Sequence, residues 1–407
     1  MERLYIKNFG PIQEAEITIH KITVLIGEQG SGKSTIAKLY ALFTWLEKSL
    51  ARHSVTEKYL KLYSRFRKTF CTYNRLDGYF NEATELRFEG LHYIFAYDQN
   101  GLQISEIKRD DESFTLSKVM YVPAERIVLG CVDHPSNMRG LGDSMKTFSD
   151  EYESAKNKLK NGYKLPFDDA LFEYDALNDI AKLKFDGYDV KLSDGASGFQ
   201  SSLPLLLVSK NLSDEVANSM KEGDLTNKEK KELQKAVDFI MNDTTLSDEV
   251  KKAFLRNLSS KYRYSRFVNI VEEMELNLYP DSQRAILYEL IANNHRLEGN
   301  RLLLTTHSPY VVNYLTLAIK AKHLADCARG NDELLERIFD IVPEDALVDG
   351  EEWVVYQVGA GMVHELKRYD SMPSDDNFLN KILNDTNLSY DSLLEIEEDI
   401  EQWQKAW

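Results

Sequence analysis

The sequence predicts an α/β protein built on a mixed parallel sheet, and two observations predict this class. An apolar run at 22–26 leads into a glycine-rich loop, and an apolar helical pattern begins at Ile36. Two further apolar runs, at 267–271 and 301–306, are typical of buried strands, and a helical stretch at 282–294 separates them. Strands that alternate with helices in this way favour a sheet with parallel strands.

The other elements follow from turn and capping signals along the chain. Two short strands, at 4–9 and 15–19, precede the strand at 22–26 and are joined by Gly10 and Pro11. Further strands, several of them paired in antiparallel hairpins, are predicted at 85–97, 102–108, 119–122, 180–185, 188–192 and 353–358. Helices are predicted near 149–160, 203–208 and 377–403, with helical insertions at about 50–80 and 210–262.

The negative charge of the chain is concentrated near its end. The net charge is −16, and from residue 331 onward there are about 20 acidic and about 5 basic residues. We therefore expect a main domain over 1–330, which contains the insertions, and an acidic α+β cap over 331–407. The cap should repel DNA, and a solvated helical surface is favoured over a docking site for it. The nearly neutral remainder leaves nucleic acid open as a partner.

Composition indicates an ordinary folded protein, with 43% apolar and 29% charged residues. No apolar run approaches the roughly 18 residues of a membrane span, and the charged start is unlike a signal peptide. We therefore expect a soluble, cytoplasmic protein with no membrane partner. Three scattered cysteines, Cys71, Cys131 and Cys327, fit reduced thiols, and Cys131 with His134 offers too few ligands for a zinc site.

A basic and aromatic segment at 52–80 has two interpretations. Its residues are Lys58, Lys61, Arg65, Arg67, Lys68 and Arg75, interleaved with Tyr59, Tyr63, Phe66, Phe70 and Tyr73. Such a pattern can contact phosphates and stack on bases. It also suits an amphipathic helix whose cations lie over packed rings, and we favour this second interpretation. An intermediate interpretation is a surface that binds a partner protein.

The glycine-rich loop has the pattern and context of a P-loop, because a strand precedes it and a helix follows it. Its glycines let backbone N–H groups turn inward and surround the β- and γ-phosphates of a nucleotide. Lys33 would span those phosphates, and the Ser34 hydroxyl would hold Mg²⁺. The residues expected at the nucleotide are Gly27, Gly30, Ser31, Gly32, Lys33, Ser34 and Thr35.

Two later strands end in residues that suit the same chemistry. The strand at 267–271 is followed by Glu272, which we assign to Mg²⁺, and by Glu273, which we assign to the attacking water. The alternative is an exposed acidic turn. His307 follows the strand at 301–306, where it can bond a γ-phosphate, although a lone histidine at a strand end is usually structural.

A third stretch, 192–200, places Ser197 and Gly198 before an apolar helix. Small residues at a helix N-terminus form an anion site, although a plain helix cap is the alternative. The stretch lies too far along the chain to serve its own P-loop locally. We therefore expect it to meet the nucleotide of a second subunit.

Together these motifs resemble the ABC-class ATPase heads, and within them the RecF/OLD-like, SMC-related predicted ATPases. The resemblance rests on the P-loop, the Ser-Gly signature, Glu-Leu-x-Leu-x-Pro at 275–280 and Thr-His-Ser-Pro at 306–309, and it covers residues 1 to about 315. It implies a head-to-head homodimer, or a higher homo-oligomer, around two ATP molecules with Mg²⁺. One subunit would supply Lys33, Ser34, Glu272, Glu273 and His307, and the other Ser197 and Gly198.

The resemblance also gives a role to the segment 123–126, which matches the strand-end segment near the usual Q-loop. Glu125 or Arg126 would couple the nucleotide to a partner. Several residues depart from the family pattern. They are Gln29 for Asn, Glu272 for Asp, Met274 for Pro, Phe199 for Gly and Tyr279 for His or Asp. These departures weaken the expectation of rapid hydrolysis more than the expectation of ATP binding and dimerisation.

The same resemblance suggests a biological role. The soluble-head motif argues against a transporter subunit, short elements between P-loop and signature argue against SMC-type arms, and the segment after 315 lacks a Toprim metal pattern. Similar heads in the PARIS and Septu systems pair with a Toprim or HNH nuclease. Our leading hypothesis is an antiphage ATPase that acts as sensor or scaffold for such an effector. The alternatives are a RecF-like DNA-binding repair or recombination factor and an autonomous ATPase.

Overall fold

The structure is a computed structural model that describes residues 1–52, 54–107, 116–133, 135, 138, 140–219, 264–369 and 371–406. Most of the predicted helical insertion at 210–262 therefore lies outside the described residues, as does His134.

The described chain contains both strands and helices, and they alternate along much of its length. The strands are β1 (Glu2–Phe9), β2 (Ile12–Ile19), β3 (Ile22–Gly27), β4 (Phe80–Glu89), β5 (Tyr93–Asp98), β6 (Gly101–Glu106), β7 (Leu116–Val122), β8 (Tyr163–Lys164), β9 (Leu171–Asp175), β10 (Ile180–Phe185), β11 (Tyr188–Lys191), β12 (Tyr264–Glu272), β13 (Arg301–Thr306), β14 (Trp353–Gly359), β15 (Met362–Glu365), β16 (Arg368–Tyr369) and β17 (Met372–Pro373). The α-helices are α1 (Lys33–Ala51), α2 (Glu57–Lys61), α3 (Val128–Cys131), α4 (Asp143–Lys158), α5 (Ser197–Ser219), α6 (Pro280–His295), α7 (Pro309–Cys327), α8 (Asp332–Phe339) and α9 (Phe378–Ala406).

One large sheet of 11 strands organises the molecule, in the order β6-β5-β4-β1-β2-β15-β14-β3-β13-β12-β7. The strands from β14 to β7 run parallel, whereas β1, β2, β4, β5 and β6 pair antiparallel. The α/β class with a mixed sheet is therefore confirmed. Because β3, β12, β13 and β7 are parallel, their carboxyl ends meet at one edge of the sheet.

Each face of the parallel strands packs against its own apolar core. Along β3, Val24 faces the core that includes helices α5, α6 and α7, whereas Leu25 faces the core that includes α1. This alternation follows from the two-residue period of a strand. Since both faces are covered, all six residues of β3 are buried, and the loop that follows β3 starts from a fixed position.

A buried ion pair joins the first strand to β12 on the α1 side of the sheet. The Arg266 guanidinium donates to both carboxylate oxygens of Glu2, at 2.7 and 2.8 Å, and its Nε donates to Ser117 Oγ at 2.6 Å. Burial opposes the charge of Glu2, but the Arg266 guanidinium lowers the pKa of this carboxyl below its usual value. The pair therefore fixes β1 to β12 without any contact with the glycine-rich loop.

The acidic end of the chain divides into a buried strand and an exposed helix. Strand β14 pairs with β3 from Trp353 to Val358, and the Trp353 side chain is fully buried. Helix α9 follows, and many of its apolar side chains lie in solvent, including Leu393, Ile396 and Trp403. The division at residue 330 stays a prediction, although the segment after it contributes β14 to the main sheet. Within the described chain, no helix has the length and apolarity that a membrane span requires.

Candidate nucleotide-binding site

The glycine-rich loop connects β3 to α1 through two backbone positions that require glycine. Gly27 has φ +147°, and a Cβ on it would lie 2.0 Å from the backbone oxygen of Val358 in β14. Gly32 has φ +112° and caps α1 directly before Lys33. Both conformations lie in the region that side chains disfavour. The loop can therefore fold tightly over the sheet edge and present the N-terminus of α1 to solvent.

Lys33 reaches back over this loop instead of extending into solvent. Its ammonium donates to the backbone oxygens of Gly27 at 2.8 Å and Glu28 at 2.7 Å. Burial lowers the pKa of Lys33 to about 8, although the carboxylates of Glu273 and Glu275 oppose this shift. A phosphate group can replace the two carbonyl oxygens as a better partner for this charge.

The first turn of α1 has the features of an anion site. Among the described residues no side chain caps its first N–H groups, and the turn contains no acidic residue. The Ser34 side chain lies in solvent, while the buried Ser31 Oγ has no hydrogen-bond partner among the described residues. Unsatisfied N–H groups and the helix dipole favour a negative ligand at this end.

Glu272 and Glu273 lie at the end of β12, near the loop, and have different surroundings. Glu272 is buried, its Oε2 accepts from the backbone N–H of Ala124 at 3.4 Å, and its Oε1 lacks a partner within the described chain. Glu273 has φ +44°, and its Oε1 lies 3.6 Å from His307 Nε2. Its backbone N–H donates to Thr305 Oγ1 on β13. The structure thus brings both acids and His307 to one sheet edge with Lys33, as their order in the sequence predicts.

The donors fit Mg²⁺ bound together with a nucleotide. Glu272 offers an unpartnered carboxylate oxygen and Ser34 an exposed hydroxyl, and both are hard oxygen donors. Within the described residues no group of three His, Cys, Asp or Glu side chains forms a preset metal site. The cation would therefore depend on phosphate oxygens and water for most of its ligands, as is usual for Mg²⁺.

Glu275 also lies within this site, although the sequence alone indicates no contact for it. Its Oε1 accepts from the backbone N–H of His307 at 2.6 Å, and burial raises the pKa of its carboxyl. Its Oε2 has no partner in the described structure. Glu275 therefore fixes the loop that holds His307. The Glu-Leu-x-Leu-x-Pro motif was the signal for this residue, although the motif does not reveal the contact.

The predicted signature residues, Ser197 and Gly198, lie at the start of α5, near the surface of the protein. Ser197 begins α5 and is exposed, and a Cβ on Gly198 would lie 3.1 Å from the backbone oxygen of Asn277. The start of α5 is therefore packed on the turn that follows Glu273, and it stays accessible from outside. Its contact with the nucleotide of a second copy stays a prediction.

The basic and aromatic segment is not the single amphipathic helix that the sequence favours. It contains the short helix α2, a 3-10 turn at Leu62–Ser64 in which Tyr63 has φ +54°, and a π-helical turn at Phe66–Cys71. Some of its cations nevertheless lie over aromatic rings. The Arg65 guanidinium lies 4.0 Å from the centre of the Tyr59 ring. Arg67 lies 5.1 Å from the Phe80 ring and donates to the backbone oxygen of Asp77. Cations engaged in this way contribute mainly to packing of the segment.

The pKa of Lys33 makes a prediction about nucleotide affinity. Phosphates bind the ammonium form of Lys33. Above pH 8 the neutral amine of the free protein must therefore take up a proton when ATP binds. We expect ATP affinity to be flat up to about pH 8 and then to fall by up to about tenfold per pH unit. Titration of a fluorescent ATP analogue between pH 7 and 9.5 measures this.

The Lys33→Arg variant is the matched control for this titration, because a guanidinium keeps its charge over the whole range. Its affinity, whatever its value at pH 7, should not vary with pH. A wild-type affinity that is equal at pH 7 and 9.5 would contradict the assignment of Lys33 to the phosphates.

A strand, a glycine loop with an inward lysine, and an acid pair at the end of the parallel strand β12 define a P-loop nucleotide-binding protein. The AAA ATPase domain family matches residues 1–269, and the chain belongs to that family.

Comparison with solved structures gives distant similarities that cover nearly the whole chain. The SMC head domain from Thermotoga maritima is 12% identical, with a TM-score of 0.33, and covers 90% of this chain and 98% of its own. The SMC head bound to the C-winged helix domain of ScpA is 9% identical, with a TM-score of 0.36 and coverages of 89% and 96%. The recombination mediator protein RecF with ATPrS is 12% identical, with a TM-score of 0.28 and coverages of 90% and 97%. No curated protein matches the chain significantly.

Proposed function

We propose that this chain is an ABC-type ATPase that binds Mg²⁺-ATP, dimerises around it and hydrolyses it slowly. One observation carries the proposal: Lys33, Ser34, Glu272, Glu273 and His307 come from three separate parts of the chain and meet at one edge of the parallel sheet. Lys33 lies close enough to the acids for their charges to oppose the lowering of its pKa. An ordinary surface turn would not combine a buried lysine with a buried carboxylate of which one oxygen has no hydrogen-bond partner among the described residues.

Each residue has a defined part in the proposed reaction. The Lys33 ammonium leaves the two loop carbonyls and binds the β- and γ-phosphates. Ser34 and Glu272 would hold Mg²⁺, which when bound would neutralise phosphate charge. Glu273 accepts the proton of the attacking water, and His307, 3.6 Å from it, donates to the γ-phosphate.

Slow hydrolysis follows from the position and length of Glu272. The residue is buried and one of its oxygens already accepts from Ala124. Its side chain is longer than the Asp of the family pattern, so it would hold Mg²⁺ at a different distance from the strand and align the γ-phosphate less well with the attacking water. Binding of ATP tolerates such a displacement better than turnover does.

The second copy supplies Ser197 and Gly198 to the nucleotide in this proposal. We expect Ser197→Arg, which places a long cation at the exposed start of α5, to leave ATP affinity within about threefold, since the P-loop is untouched. ATP-dependent dimerisation should weaken by at least about tenfold, because the side chain fills the interface. Light scattering after size exclusion, with and without Mg²⁺-ATP, measures this.

Leu177→Arg is the matched control, because Leu177 is 97% exposed on a turn of the small sheet formed by β8 to β11. It should dimerise like the wild type. If the wild-type protein stays monomeric with ATP, or if Ser197→Arg dimerises normally, the proposed dimer is wrong.

An effector partner in antiphage defence is the finer part of the proposal. It is supported by the resemblance to the ATPase subunits of PARIS and Septu systems and by the exposed apolar face of α9. That face includes Leu388, Leu393, Ile396, Ile400 and Trp403. Apolar side chains exposed in such number mark interaction surfaces.

Purification of the chain together with its neighbouring genes tests this role. A nuclease should co-purify in proportion to the chain, and the operon should protect cells from phage. Recovery of the chain alone, together with no protection, would exclude the effector role. ATP-dependent binding to duplex DNA with a steep salt dependence would favour the RecF-like alternative instead.

A further inference from the structure

A cavity of about 450 Å³ lies between helices α1 and α4 and the edge strand β7, and we call it the α1–α4 cavity. Its remaining walls come from the start of β12 and from the basic and aromatic segment, at 69–74. Within the described structure no residue of the glycine-rich loop lines it, so the cavity is separate from the proposed ATP site. Small-molecule sites in proteins have volumes of roughly 300–1,000 Å³, and this cavity falls within that range.

Aromatic side chains from several elements line the α1–α4 cavity. Trp45 of α1 and Phe70 pack together with their ring centroids 5.7 Å apart, and Tyr73 and Tyr264 also line the cavity. Trp45 and Tyr73 are 38% and 37% exposed, so part of this aromatic surface is accessible from solvent. Aromatic walls favour a ligand that is itself planar and aromatic, because rings stack with an offset or meet edge to face.

The cavity also presents a hydrogen-bond donor and an acceptor side by side. Lys118 Nζ donates to Glu151 Oε1 at 2.7 Å, and the two side chains, which both line the cavity, are 18% and 22% exposed. An ammonium has three donors and a carboxylate has two acceptor oxygens, so the pair retains capacity for further hydrogen bonds. A heteroaromatic ring such as a nucleobase carries donors and acceptors next to each other along its edge. The polar part of the cavity therefore fits a ligand of this kind.

Tyr121 lines the cavity and carries a buried hydroxyl without a hydrogen-bond partner among the described residues. The residue is 8% exposed, and buried hydroxyls are normally hydrogen-bonded, so a ligand in the cavity can supply the missing partner. Tyr121 on β7 is the neighbour of Ile270 on β12, and Glu272 lies two residues further along on the same face. Burial and the Glu272 carboxylate both raise the pKa of the Tyr121 phenol, so the two side chains lie close together.

We propose that the α1–α4 cavity binds a planar heteroaromatic molecule of about nucleoside size, and that Tyr121 connects this ligand to Glu272. The aromatic walls contact the faces of the ring, and Lys118 and Glu151 bond its edge. The Tyr121 hydroxyl bonds the ligand and then no longer competes with Mg²⁺ for the Glu272 carboxylate. The regulatory part of this inference rests on the proposed function, whereas the binding of the ligand does not.

Isothermal titration of the full chain with adenosine, guanosine, cytidine and uridine tests the binding. We expect at least one of them to bind with a Kd of about 0.1 mM or tighter, as is usual for a ligand of this size in a formed pocket. The titration is repeated with saturating Mg²⁺-ATP, which should leave this binding in place. If none of the four nucleosides binds, the inference is wrong. Binding of indole without binding of a nucleoside would instead assign the cavity to an aromatic side chain of a partner protein and would also overturn it.

Ser144→Trp locates the bound nucleoside, because Ser144 lines the cavity from the first turn of α4 and an indole there fills the space. Nucleoside affinity should fall by at least about tenfold, while ATP affinity should stay within about threefold because the P-loop is untouched. Ser154→Trp, on the same helix but outside the cavity lining, is the matched control and should bind the nucleoside normally. A Ser144→Trp variant that binds the nucleoside as tightly as the wild type would place the ligand elsewhere and contradict the inference.

Tyr121→Phe tests the regulation, because it removes the hydroxyl and keeps the ring. In the wild type, saturating nucleoside should lower the Mg²⁺ concentration for half-maximal ATP hydrolysis by about threefold, the effect expected of one hydrogen bond. Tyr121→Phe should have the lower value already and should not respond to the nucleoside.

Tyr288→Phe is the control for this substitution, since the Tyr288 hydroxyl donates to the backbone oxygen of Tyr314 and not into the cavity. It should respond to the nucleoside like the wild type. A nucleoside that binds without changing the Mg²⁺ dependence would overturn the regulatory part of the inference. Failure of the proposed function is distinguishable, because it would appear as a wild-type protein that binds no ATP, and the titration with nucleosides does not require ATP.

Discussion

Lys33→Ala should abolish ATP binding at concentrations that saturate the wild-type protein. Two charge-assisted hydrogen bonds to phosphate are lost, each worth about 1.5–3 kcal/mol, so affinity should fall by roughly a hundredfold or more. The loop itself should keep its shape, because the glycine conformations and the pairing of β3 do not depend on the side chain. Isothermal titration with Mg²⁺-ATP measures the loss.

The stability of this variant separates binding from folding. Burial lowers the pKa of Lys33, which means that its charge in the nucleotide-free protein decreases the free energy of unfolding. The melting temperature of Lys33→Ala without nucleotide should therefore be at least that of the wild type. Lys38→Ala, on the same helix, is the control and should bind ATP normally. An ATP affinity of Lys33→Ala equal to that of the wild type would remove the basis of the proposed site.

Glu273→Gln should have the largest effect on turnover. The amide retains the size and the hydrogen-bonding capacity of the side chain but cannot accept the proton of the attacking water. Loss of a general base typically lowers the rate by about 10²- to 10⁴-fold, and we expect a fall in kcat of at least about a hundredfold. Phosphate release under single-turnover conditions measures it.

The same variant should accumulate the ATP-bound dimer. Because binding is retained while hydrolysis is blocked, Mg²⁺-ATP should shift Glu273→Gln to a dimer that persists on size exclusion. Glu298→Gln is the control, since Glu298 lies in solvent beside Lys21. A hydrolysis rate within threefold of the wild type would show that Glu273 is not the base.

The placement of the proposed site residues at one sheet edge was predictable, because their signals are local. Lys33 and Ser34 stand in a loop whose flanking strand and helix are both visible in the sequence, and the acids directly follow an apolar run. Parallel strands bring their ends together by geometry alone, so the order of the motifs was sufficient to predict that they meet. The mixed sheet follows from the same patterns.

The contacts that hold these residues were not predictable. Arg126 donates only to backbone carbonyls, and a carbonyl has no signature in the sequence. Glu275 bonds the N–H of His307, a residue 32 positions away, so its role depends on two strands being neighbours. The positive φ of Glu273 results from such contacts and not from the preference of a glutamate.

The pairing of β3 with β14 could not be predicted from the sequence, for a related reason. Residues 353–358 have the composition of a strand, but the acidic residues around them indicated a cap at the end of the chain. Which strands become neighbours depends on the packing of the entire sheet, and sequence separation gives no guide to it. The hydrogen bonds from β3 to β13 and β14 are both made with strands that lie beyond the family match at 1–269.

This placement has a consequence for synthesis of the protein on the ribosome. The P-loop strand is translated first, yet both of its hydrogen-bonding neighbours belong to the later part of the chain, at Arg301–Thr306 and Trp353–Gly359. Pairings between such distant segments form late in folding. A nascent chain that has emerged as far as residue 269 has the full P-loop motif but lacks both strands that pair with β3. We therefore expect that a premature stop codon between residues 36 and 353 leaves a polypeptide that carries the motif but does not bind ATP.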